Sequence, residues 1–69
     1  MRLTELQNTA LYNIYEQGGI FSSNGQFHLN TLNSLVNRGL AKFTQYANGE
    51  LCEISDLGLE YIQKESKNF

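Results

Sequence analysis

Residues 30–40, Asn30-Thr31-Leu32-Asn33-Ser34-Leu35-Val36-Asn37-Arg38-Gly39-Leu40, decide how this chain folds. Leu32, Leu35 and Val36, with Leu29 just upstream, recur at helical spacing and form one apolar stripe. At about 100° per residue, Asn30, Ser34, Asn37 and Arg38 face the other way, and Thr31 and Asn33 flank the stripe. Asn30 suits the N-cap, where a side-chain oxygen accepts from the free amides of the first turn. Gly39 suits the left-handed residue past the end, after which Leu40 packs back on Leu35 or Val36. Arg38 lies in the last turn, where a cation complements the helix dipole. The spacing therefore predicts a short helix with one buried face, a polar and neutral outer face, and a sharp stop.

Downstream of Leu40 the period changes from 3.6 to 2. Residues 41–47 and 50–54 flank Asn48-Gly49, a strong hairpin signal. A two-residue loop there pairs Ala47 with Glu50, Tyr46 with Leu51, Gln45 with Cys52, Thr44 with Glu53 and Phe43 with Ile54. Alternation puts Phe43, Cys52 and Ile54 on the core face. Thr44, Tyr46 and Leu51 fall on the other face, leaving a Tyr–Leu pair in solvent near the tip. Ser55 then caps a last helix with Asp56 in its first turn. Leu57, Tyr61 and Ile62 supply its buried face, with Leu59 nearby. Gly58 inside it costs about 1 kcal/mol against Ala, which close approach to a neighbouring element would offset. Residues 65–69 read as a frayed tail.

Upstream, residues 3–17 form the first helix. Thr4 and Gln7 have capping-box spacing, Leu3, Leu6, Ala10, Leu11 and Ile14 make a helical stripe, and Gly18-Gly19 ends it. Tyr12 falls on the polar face beside Glu5, Asn8 and Glu16, as a contact candidate. Residues 20–27, IFSSNGQF, hold Ile20 and Phe27 as core anchors around the turn residues Ser23-Asn24-Gly25. One turn of helix or a very short strand fits there, and a ten-residue helix does not. The predicted core is Leu6, Leu11, Ile14, Leu32, Leu35, Val36, Phe43, Ile54, Tyr61 and Ile62.

Sixty-nine residues make one domain, near the lower size limit for a single core. With 41% apolar residues the chain has the composition of a globular protein. The lone cysteine, Cys52, excludes an internal disulfide and fits a reducing cytoplasm. No apolar run approaches the roughly 18 residues of a membrane span, and the N-terminus has no signal-peptide core. The expectation is a small, soluble, cytoplasmic protein. Met1 and the frayed-looking end weigh against a module cut from a larger protein.

The net charge of −2 argues mildly against nucleic acid. Its distribution argues the other way. All seven acidic residues lie in residues 1–16 or 50–69, so residues 17–49 carry none, while His28, Arg38 and Lys42 are there. A phosphate-facing surface needs a local absence of carboxylates. Chance in a chain with 17% charged residues would give the same gap, and both readings stand.

The order of elements, with Thr31 to Leu40 and the later Glu53-Ile54-Ser55-Asp56-Leu57-Gly58, resembles a winged helix-turn-helix domain. These segments are similar to the "T..L..L..RGL" recognition helix and the "..LT..G" start of the last helix in small bacterial or phage-type transcriptional regulators. The resemblance implies an α+β, mainly α fold of three short helices with a β-hairpin wing in the C-terminal half. The second helix that usually precedes the recognition helix is reduced or absent, since only residues 20–27 are available for it. It also implies that the 28–38 helix enters a major groove of double-stranded DNA and that the 41–54 hairpin is the wing.

The residue chemistry fits that use. Asn and Gln pair bidentately with adenine, while Ser and Thr meet bases or phosphates. The DNA-contact candidates are Gln26, His28, Asn30, Thr31, Asn33, Ser34, Asn37, Arg38, Lys42 and Asn48. Arg38 and Lys42, with Arg2, are the phosphate ligands. So few cations give weak binding, for which a homodimer is the remedy. Solvation of a short helix by neutral polar side chains explains the same residues without DNA. The competing function is a winged helix that binds protein, as an accessory or inhibitory factor, through Tyr12, Tyr46 and Leu51. An enzyme is disfavoured: His28 has no partner at metal-ligand spacing, Cys52 points to the core, and no phosphate-binding glycine loop occurs. No cofactor and no metal are expected.

Overall fold

The structure is a computed structural model describing residues 3–66. Helix α1 spans Glu5–Gln17, strand β1 Ile20–Phe21, helix α2 Leu29–Asn37, strand β2 Ala41–Tyr46, strand β3 Gly49–Ile54 and helix α3 Asp56–Ser66. One 3-10 turn, Ser22–Asn24, lies between β1 and α2. The fold is α+β and mainly α; among the described residues it has three helices and one three-stranded antiparallel sheet in the order β1-β3-β2.

The ends of α1 follow local chemistry. Thr4 Oγ1 accepts from the Gln7 amide at 3.1 Å and the Thr4 amide donates to Gln7 Oε1 at 3.0 Å, which closes the expected capping box. Gly18, at φ 74°, ends the helix, and the Gly19 amide donates to Ile14 C=O at 3.0 Å. Ala10, Leu11 and Ile14 are buried. Leu6, expected in the core, is 55% exposed. It lies roughly 90° round the helix from the centre of the buried face, beyond what the neighbouring elements cover.

Helix α2 starts earlier than the sequence suggests. Its N-cap is His28 and not Asn30: the backbone of His28 is extended and its Nδ1 accepts from the Asn30 amide at 3.1 Å. At the other end the Leu40 amide donates to Leu35 C=O at 3.0 Å and the Gly39 amide to Val36 C=O at 2.9 Å. This pair of bonds, with Gly39 at φ 78°, is a Schellman motif and turns Leu40 into the core. Leu29, expected on the buried stripe, is half exposed.

The hairpin turns at Ala47-Asn48, one residue before the expected Asn48-Gly49 loop. Tyr46 pairs with Gly49, Gln45 with Glu50, Thr44 with Leu51 and Phe43 with Cys52. An Asn-Gly loop of the expected kind needs positive φ at both residues. Among the described residues no non-glycine has positive φ, and Gly49 alone of the pair takes it, at 130°. Each cross-strand partner moves by two residues, and an even shift leaves the faces unchanged. Phe43, Cys52 and Ile54 therefore still pack on the core.

β1 adds a third strand to the hairpin, pairing Ile20 with Cys52 and Phe21 with Leu51. Residues 20–27 thus contain both the short strand and the single helical turn that fitted them, and that turn stands where a second helix would be.

Last, α3 is set by Ser55, whose Oγ accepts from the Gly58 amide at 3.0 Å and donates to Gly39 C=O. The Ser55 amide donates to Leu40 C=O at 3.1 Å, so the helix starts against the α2–β2 junction. Leu57, expected on the buried face, is 47% exposed, while Ile62 is buried. Residues 67–69 of the expected tail, and Arg2, lie outside the described residues; Glu65 and Ser66 end α3.

The core joins Ala10, Leu11 and Ile14 of α1, Ile20, Leu32 and Leu35, Leu40 and Ala41, Cys52, and Ile62 of α3. Val36, Phe43, Ile54 and Tyr61, all predicted inside, are half-buried against it.

Candidate nucleic-acid interface

Three asparagines stand on the side of α2 opposite the core. Buried Thr31, Leu32 and Leu35 define the inner face, and Asn30, Asn33 and Asn37, at i, i+3 and i+7, are all exposed on the outer one. Arg38 is the C-cap and exposed, roughly 110° round from the centre of the asparagine stripe. His28, exposed, has its Nδ1 committed to capping.

Two expected members are taken inward. Thr31 is only 9% exposed. Ser34 Oγ donates to Thr31 C=O at 2.7 Å and accepts from Gln7 Nε2 at 3.0 Å, so its hydroxyl joins α2 to α1. Neither side chain can reach a ligand on the outer face. Their spacing did not reveal this, because α1 covers α2 from one flank and widens the buried sector beyond the apolar residues.

Gln26 is exposed but occupied: it accepts from Gln17 Nε2 and donates to Asn13 Oδ1, both at 3.4 Å. Asn48 sits exposed in the hairpin turn. Lys42, exposed near the start of β2, pairs across the strand with Glu53. On the same outer face Thr44 Oγ1 donates to Glu53 Oε2 at 2.7 Å and the Tyr46 hydroxyl to Oε1 at 3.3 Å. The Glu53 charge holds the Tyr46 phenol above its ordinary range. Gln45 Nε2 binds Glu50 at 2.7 Å. The hairpin thus offers one cation, Lys42, against two carboxylates, Glu50 and Glu53.

Of the protein-contact candidates, Tyr46 is 49% exposed. Tyr12 is half-buried against the core instead of standing on a polar face. Helix α3 lies along that side of α1, where the Tyr61 hydroxyl donates to Asn8 Oδ1 at 3.4 Å, one turn before Tyr12. Leu51 is half-buried and packs over Gly19, where an added Cβ would lie 3.0 Å from it, and it pairs with Thr44, not Tyr46.

A shallow cleft of about 270 Å³, lined by Leu40, Leu57, Glu60, Tyr61, Lys64 and Glu65, lies beside α3. It falls below the ~300–1,000 Å³ usual for ligand pockets. Burial pushes the Cys52 thiol up to about 11, with Glu50 and Glu53 adding to the effect, so it stays protonated. Among the described residues no group of three His, Cys, Asp or Glu could hold a metal ion, and no helix is long and apolar enough to cross a membrane. Compared with models of known families, with curated proteins and with solved structures, the chain matches none.

Proposed function

We propose that this chain is a small DNA-binding protein, a transcriptional regulator of the winged-helix type acting in the cytoplasm. The observation that carries this reading is the outward stripe Asn30, Asn33 and Asn37, on a helix free of acidic residues and bounded by Arg38. Neutral amides facing outward from a short helix match what a major groove presents, a pattern of donors and acceptors on base edges. Arg38 and Lys42 contact phosphate, and two such contacts make a single copy a weak binder, so the active species is a pair of copies. The role is binding and not catalysis.

The test is titration of labelled duplexes over a range of salt. Two phosphate contacts give a log–log slope of about −2 for one copy and about −4 for a pair. Arg38→Ala and Lys42→Ala each reduce that slope by about 1 per copy and weaken all sequences alike. If no duplex is retained at low salt, the reading is wrong.

One observation favours a second reading, a protein-binding module. The outer hairpin face gathers the half-exposed Tyr46 around Glu53, and the chain is acidic overall. Aromatic side chains at such sites anchor protein partners. Duplex binding that is unchanged by Tyr46→Thr, together with loss of a protein partner in the same variant, would identify this second use.

A further inference from the structure

The side-chain amides of this fold differ in how they are held. Most of those on α1, the following turn and the hairpin have partners, while Asn24 and Asn48, each alone in a turn, show none among the described residues. Asn13, Gln17 and Gln26 interlock, Gln7 binds Ser34, Asn8 accepts from Tyr61, and Gln45 donates to Glu50. On α2, among the described residues, side-chain hydrogen bonds to the rest of the fold run through Ser34 and not through Asn30, Asn33 or Asn37. Three free carboxamides therefore stand in one row on the outer face.

Resting on the duplex-binding reading above, we infer that this row selects adenine, each asparagine reading one base within a run of about four successive base pairs. A carboxamide carries a donor and an acceptor side by side, which matches N7 and the N6 amino group of adenine; guanine, with two acceptors there, suits Arg or Lys. Neither cation lies on the row, since Arg38 points roughly 110° away, toward where a backbone would run. Along the helix axis Asn33 and Asn37 lie about 4.5 and 10.5 Å beyond Asn30. A helix lying in the major groove runs obliquely to the duplex axis, so at about 3.4 Å per base pair the row spans no more than about four successive pairs.

The whole chain is incubated with a randomised duplex library at low salt, and the retained duplexes are sequenced. The expected pool is enriched in A·T pairs at three positions within a run of about four successive base pairs. Replacing any of the three with G·C weakens binding by roughly 5- to 150-fold. Asn33→Ala, which touches nothing in the core, keeps the melting profile of the parent and loses the preference at one of the three positions only. A retained pool rich in G·C, or without base preference, overturns this inference while leaving duplex binding intact. So does an Asn33→Ala protein that keeps all three preferences. Retention of no duplex at all overturns the duplex-binding reading and this inference with it.

Discussion

The carbonyl oxygen of Leu40 occupies the space that a side chain on Gly58 would need, and Ile54 Cγ1 would lie 2.8 Å from the same Cβ. Glycine in mid-helix costs about 1 kcal/mol, and here it lets α3 lie directly on the backbone that leaves α2. Gly58→Ala should therefore destabilise despite its better helix propensity. Because the obstacle is backbone, we expect a loss of about 2–3 kcal/mol, the upper part of the overpacking range. That corresponds to a fall in Tm of roughly 10–20 °C for a domain of this size. A melt equal to the parent's would show that α3 is free to shift.

Leu35 and Leu6 were both expected in the core, and the structure separates them. Leu35 is fully buried, so Leu35→Ala should cost about 2–5 kcal/mol, much of the stability of so small a domain. Leu6→Ala, on an exposed helix position, should stay within about 0.5 kcal/mol. Urea titration of both variants checks the contrast, and equal midpoints would place Leu6 inside.

His28→Ala removes the acceptor that holds the first turn of α2, with an expected cost of about 0.5–2 kcal/mol. His28→Asn or His28→Ser should retain stability or increase it, since these are better N-caps. Thermal melts of the three variants decide this. If all three fall together, the imidazole contributes through something other than capping.

Cys52 sets an alkaline limit. Its folded-state value of about 11 lies above the ordinary 9.0, so its contribution to stability is complete below pH 9 and is lost as pH rises through about 11. Tyr46 and Tyr61 are raised as well and add to the loss in the same direction. Unfolding measured between pH 8 and pH 11 should show stability falling, and Cys52→Ala should flatten the curve. An unchanged curve in that variant would assign the loss to the tyrosines.

The parts legible in the sequence were those governed by neighbours in the chain. The Thr4–Gln7 box, the Gly39 turn and the close approach at Gly58 each depend on residues within a few positions or on a glycine with no other reason to be there. The sheet faces were legible too, because alternation survives an even change of register. The outer asparagines were legible as polar positions on α2. Features set by distant elements were not. Two residues, Ile20 and Phe21, show no periodicity, so the third strand had no signature of its own. The exposure of Leu6, Leu29 and Leu57 depends on where neighbouring elements stop. Thr31 and Ser34 were lost from the candidate site for the converse reason, that α1 covers their flank. His28 was missed as the cap because imidazole is outside the usual capping residues.

Finally, the pairing of Ile20 with Cys52 joins the chain on both sides of α2. The helix sits inside a loop whose two ends are clasped within the sheet, so it cannot swing outward unless strand pairing breaks. Whatever meets the asparagine row thus meets a preformed surface, and the entropy of fixing that helix is spent during folding and not at the encounter.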